Sequence, residues 1–114
     1  MDEFLLIFRH QDGGKLVSPE QMQIWMQQTM DWLGGIAAQN KLVSNGMGLS
    51  FDDSRVVRPN NIVTNGPYTE TKEAIGGFVV VRAESADEAA EMAKGSPVLQ
   101  GPDNSIEVRK VARH

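Results

Sequence analysis

Two runs, Phe4–Phe8 and Phe78–Ala83, constrain this chain more than any other feature, because each is apolar at nearly every consecutive position. Side chains alternate across a strand, so a run without polar alternation describes a strand meant to be covered on both faces. Each also has the length of a strand rather than of a helix. Only two stretches read as helices. Ser18-Pro19-Glu20-Gln21 supplies a hydroxyl N-cap, a proline at the first helical position and a Gln three residues on, which predicts a helix from Pro19 to Ala38. Ser85-Ala86-Asp87-Glu88 predicts a second, short one with the small-residue stripe Ala86, Ala89, Ala90 and Ala93, ending at Gly95 with Pro97 beyond.

The remaining segments are short strands. Lys41 to Phe51 holds an apolar piece and then Met47-Gly48-Leu49; Asp52-Asp53-Ser54 reads as a turn, and the adjacent carboxylates, without further oxygen ligands, suit a turn rather than a cation. Arg55–Arg58 and Ile62–Thr64 follow as strands of a meander about Pro59-Asn60-Asn61, and Ile106 to Val111 alternates like a half-exposed final strand. Asp12-Gly13-Gly14 is turn chemistry. The order predicts a single α+β domain over residues 1–114, a ferredoxin-like β-α-β(meander)-β-α-β pattern with both helices on one face of an antiparallel sheet. Along the first helix Met22, Trp25, Met26, Thr29, Met30, Leu33, Ile36 and Ala37 project to one side, with Trp32 at the margin, and the methionines and tryptophans, deformable enough to line a cavity, read at this spacing as core.

That arrangement leaves a problem. Helices on one face cannot cover the other side of two doubly apolar strands, and soluble monomers seldom expose such a patch. Burial of each large apolar side chain is worth roughly 1.5 to 3 kcal/mol, so a homodimer through the open sheet face is the expected remedy. Composition limits other partners. The formal charge of −4 opposes a nucleic-acid partner, and no Lys/Arg cluster supplies a basic field. Without cysteine there is no disulfide, thiol nucleophile or thiolate metal site, and neither a metal nor a cofactor is expected. Met1-Asp2-Glu3 lacks the basic start of a signal peptide and no apolar stretch reaches membrane-spanning length, so the expectation is a cytoplasmic protein with no membrane partner.

The chemistry-bearing segment is the connection from Asn65 to Gly76. It spends about ten residues where a reversing turn needs two or three, and it gathers carboxylates, hydroxyls, an amine and a phenol. Asn65, Tyr68, Glu70, Lys72 and Glu73 are the ligand-binding candidates here, joined by His10 after the first strand. Histidine as a residue type exchanges protons near neutral pH, which makes His10 the one candidate acid/base; the alternative is a strand-capping histidine bonded to a backbone carbonyl. Glu70, Lys72 and Glu73 either hold a polar ligand or form a solvated turn capped by Thr69, and Tyr68 either polarises a substrate or packs at a subunit seam. Gly66, Gly76 and Gly77 lack nucleotide-loop spacing and suit turns and close strand approach.

Arg9-His10, the string Ile62-Val63-Thr64-Asn65-Gly66-Pro67-Tyr68-Thr69-Glu70-Thr71-Lys72-Glu73, Gly76-Gly77-Phe78, the helix start from Ala83 to Ala89 and the strand Ile106–Arg109 together resemble the YCII-related family, specifically its DGPF branch. The likeness spans almost the whole chain. It implies a dimeric α/β barrel of ferredoxin-like subunits. Two departures bear on activity. The branch carries an aspartate at the position of Asn65, so a carboxylate is replaced here by a neutral amide. The YCII branch proper pairs an aspartate with a histidine near the start of the first helix in a proposed catalytic dyad, and some relatives catalyse elimination or isomerisation on ring compounds; Pro19–Ala38 contains no histidine, and the dyad is not carried over.

Three functions follow as expectations. The first is a small dimeric protein that binds a small polar or cyclic metabolite in a pocket near the 65–76 connection. The second is a proton-transfer enzyme, an isomerase or lyase acting on a small cyclic or carbonyl compound, with His10 as acid/base and Asn65, Tyr68 or Lys72 polarising an oxygen. The third is a non-catalytic interaction module, since relatives of the branch are often encoded near transcription sigma factors.

Overall fold

The computed structural model describes residues 1–10, 18–50, 52–65 and 74–112. The Asp12-Gly13-Gly14 turn and the 66–73 part of the long connection, with Tyr68, Glu70, Lys72 and Glu73, lie outside them. The elements run β1 (Asp2–His10), α1 (Pro19–Ala38), β2 (Leu42–Gly48), β3 (Arg55–Arg58), β4 (Ile62–Asn65), β5 (Ala74–Ala83), α2 (Ala86–Ala93), a 3-10 turn (Pro97–Gln100) and β6 (Ser105–Lys110). Among the described residues four strands form an antiparallel sheet in the order β2-β5-β1-β6. This is the ferredoxin-like α+β arrangement.

The meander is corrected in one respect. β2 pairs with β5, while among the described residues β3 and β4 pair only with each other as a separate two-stranded sheet, Val57 opposite Val63 and Arg58 opposite Ile62. Left-handed backbone occurs at Asp53, just before β3, and at Asn60 and Asn61, which make the tight turn between β3 and β4, and short polar side chains tolerate that conformation.

Both helices start where the sequence predicts. Ser18 Oγ accepts from the Gln21 amide and Ser85 Oγ from the Glu88 amide, each at 3.1 Å. At the second cap the Glu88 carboxylate is committed elsewhere, accepting a 2.6 Å bond from Lys41 Nζ that ties the entry of β2 to α2. The core lies between the sheet and the helices. Phe4, Leu6, Val79, Val81, Ala83, Ile36, Ala89 and Ala93 are buried, with Phe8, Trp32, Leu33, Leu42, Met92, Ile106 and Val108 packed against them.

Helix α1 is rotated from the expected orientation. Met22, Met26 and Met30 are exposed at 48%, 59% and 65%, which overturns their reading as core. At about 100° per residue the covered side centres on Trp25, Thr29, Trp32 and Ile36, roughly 90° from the line of the three methionines. The tryptophans set this rotation. Trp32 meets the Phe8 ring edge-on at 6.0 Å and donates its indole N–H to the Met92 carbonyl at 2.8 Å, while Trp25 donates to Gln100 Oε1 at 3.2 Å. Indole rings bury more area than thioethers and need their N–H matched, so they take the inner positions. Gly95 follows from the same contact: its φ is not left-handed, but a Cβ there would stand 3.1 Å from Trp32 Cδ1.

Candidate functional site

The pleat of β1 sends Phe4, Leu6 and Phe8 toward the helices and Leu5 and Ile7 to the opposite face. There Leu5 stands opposite Val80 and Ile7 opposite Phe78, all four half-buried and none of them in the core cluster. Met47 extends this floor from β2, opposite Phe78 and 61% exposed. A register shift beyond Phe8 brings Ile75 opposite Arg9. The protomer measures 44 × 44 × 20 Å, and its thin dimension is that of one helix layer on one sheet, about 10 Å each. Neither helix lies over the floor.

Charge borders the floor on the β6 side, where Arg109 stands opposite Leu5 and Glu107 opposite Ile7. Arg9 Nε donates to Glu107 Oε1 at 3.1 Å with Nη2 at 2.9 Å from the same oxygen, and Arg109 Nη1 donates to Oε2 at 3.0 Å. The Arg109 bond, then the Arg9 bond, hold the Glu107 carboxyl below the usual carboxylate range. Because the folded value is the depressed one, this carboxylate stabilises the fold above its unfolded pKa of about 4.3, and the contribution disappears as pH falls through the lower folded value. Carbon-detected NMR titration is expected to place the Glu107 midpoint below that of an exposed glutamate, and Arg109→Ala to raise it; an unmoved midpoint contradicts the shared pair. The sequence signal for this group was the alternation of β6, but finding it required the β1–β6 register.

His10 closes β1 half-buried, opposite Ala74, where β5 begins after the 66–73 segment, and it is already engaged in an interaction. The pleat sets it on the Phe8 side, so neighbouring Arg9 and His10 address opposite faces of the same sheet end. Asn65 belongs to the two-stranded sheet, exposed at the end of β4 opposite Arg55. The structure thus brings His10 to the point where the long connection rejoins the sheet, and places Asn65 where that connection departs.

Gly77 behaves as read from sequence: a Cβ there would meet the Met47 carbonyl oxygen at 2.7 Å, so it serves close strand approach. The Asp52-Asp53 pair is a bend, with Asp53 3.5 Å from Arg55 Nη2. A shallow apolar groove between α1 and β2 is lined by Met30, Leu33, Gly34, Ala37, Leu42 and Asn45, so of the helix methionines Met30 lines a cavity rather than packing as core. Leu42 pairs with Val81, so the groove is at the opposite end of the sheet from His10. Among the described residues no three His, Asp or Glu gather as metal ligands, and no helix is long and apolar enough to cross a membrane.

A search among curated proteins finds no match. The family model of the YCII-related domain matches residues 4–114, nearly the whole chain and every element that builds the open face and the His10 end, and the protein belongs to the YCII-related family.

Proposed function

We propose that this is a cytoplasmic member of the DGPF branch that works as a homodimer joined through its open sheet face and binds a small polar or cyclic metabolite where β1 ends at Arg9-His10. The supporting observation is the floor of Leu5, Ile7, Phe78 and Val80, which stands outside the core and runs to that end of the sheet. At the rim of the paired faces, the Arg9 end of this floor can hold a carbon skeleton while charged groups at its border fix a polar substituent, the usual division of labour in a small-molecule site. The branch assignment rests on the Asn65-to-Gly77 string. Native mass spectrometry of gently purified protein tests the reading: the expected species has twice the 12.5 kDa chain mass plus a small organic adduct that is lost on denaturation. A dimer without adduct, even after incubation with cell metabolites, favours the interaction module instead.

Proton transfer is the second reading, favoured by a half-buried histidine beside the rejoining connection. If turnover on a cyclic or carbonyl compound is found, His10→Ala is expected to abolish the bell-shaped pH–rate profile that Lys94→Ala retains. Turnover indifferent to the histidine removes this reading.

A further inference from the structure

Among the described residues the β3–β4 hairpin stands outside the main sheet, its strands paired only with each other. A two-stranded ribbon with four-residue strands is marginal in water unless it packs on something. Its two faces differ. Val56 and Thr64, directly paired, are half-buried, whereas the next pair, Val57 and Val63, points to the other face and is exposed at 73% and 58%. A second bare surface occurs at the His10 end of the main sheet, where Met47, Leu49 and Ile75 are exposed at 61%, 42% and 43%. These residues are neighbours there, since Met47 faces Phe78, the Leu49 amide donates to the Gly76 carbonyl, and Ile75 adjoins Gly76. Both surfaces are bare with the chain's own hairpin in place, so neither covers the other within one protomer. Every copy carries both, and a two-fold pair satisfies them reciprocally.

Area favours the same arrangement. Four strands about 4.8 Å apart, with six to nine paired positions of about 3.3 Å, give the open face roughly 400 to 600 Å² in plan, and its β6 side is charged. Stable interfaces bury about 800 Å² per partner. The sheet face alone therefore falls short before side-chain relief is counted, and the hairpin supplies a further apolar surface. We propose that the β3–β4 hairpin is a clasp, packing Val57 and Val63 of one copy over Met47, Leu49 and Ile75 of a second copy of this chain. This rests on the homodimer reading above and adds to it the element that makes the pair stable.

The test compares wild-type protein with Val57→Asp/Val63→Asp by sedimentation, with circular dichroism to verify folding. Two exposed positions leave the protomer's core untouched, and the dimer dissociation constant is expected to rise roughly 100-fold, the scale of a lost central anchor. A wild-type dimer whose affinity the double variant leaves unchanged overturns the clasp while leaving the homodimer standing; a monomeric wild type overturns both. The cysteine-free sequence permits a second arm. Val63→Cys carrying a photoreactive maleimide is expected to give covalent dimers with adducts at Met47, Leu49 or Ile75. Crosslinks confined within one chain overturn the clasp.

Discussion

Leu6→Glu is expected to leave no folded protein, whereas Leu5→Glu, one residue earlier, is expected to leave a folded protomer that does not pair. Leu6 is completely inaccessible and lies between Val79 on β5 and Val108 on β6, under the helices. Even truncation to alanine there costs about 2 to 5 kcal/mol, and a carboxylate adds the penalty of an unpaired buried charge. Domains of this size have only about 5 to 15 kcal/mol in hand. Leu5 faces Val80 and, across the other strand, Arg109, so a carboxylate at that position gains a counter-charge within the protomer. Between two apposed sheets the same group is desolvated, and symmetry introduces it twice. Chemical denaturation and sedimentation separate the effects: Leu6→Glu loses the cooperative transition, and Leu5→Glu keeps it while sedimenting at the chain mass. A Leu5→Glu variant that remains a tight dimer removes the open face from the interface.

That contrast also marks what was legible in the sequence. The apolar runs identified both central strands, and their lack of alternation already implied two apolar faces; β1 and β5 are simply longer than the runs, reaching His10 and back to Ala74. Ser18 with Pro19, and Ser85, located both helix starts because caps are local. Nonlocal decisions were not legible. Periodicity gives a helix a wet and a dry side only when its large residues differ in polarity, and α1 offers methionines and tryptophans on adjoining stripes. Acceptors 60 and 75 residues away, Met92 for Trp32 and Gln100 for Trp25, decide between them. Strand pairing poses the same difficulty, since adjacency in sequence suggested one continuous meander, whereas β2 joins the main sheet and β3 and β4 pair apart from it. For the site, sequence marked the His10 end and the departure at Asn65, and overlooked the Arg9–Glu107–Arg109 group, whose members are 98 residues apart at the Arg9–Glu107 bond.

The pairing of β2 with β5 exposes its dependence on one unremarked glycine. Gly46 sits in β2 within the register irregularity between Ser44 and Met47, with φ of +61°. A Cβ built there would lie 1.7 Å from the Phe78 carbonyl oxygen and 2.6 Å from its carbonyl carbon, atoms of the β5 backbone that cannot rotate away. Gly46→Ala therefore combines a left-handed alanine, about 1 to 2 kcal/mol, with overpacking of about 1 to 3 kcal/mol against a central strand. A loss of roughly 3 kcal/mol or more is expected in denaturant unfolding, with amide exchange accelerated first in β2, the edge strand that must move. Gly34→Ala supplies the opposite sign. That glycine is inside α1 with nothing within 4 Å of a built Cβ, so alanine is expected to raise stability by about 1 kcal/mol through helix propensity alone. Equal effects of the two substitutions would mean that β2 does not approach β5 as closely as this architecture requires. The floor formed by Met47 and Phe78 would then lose its edge, because Gly46 holds the strand that carries Met47 to its place beside Phe78.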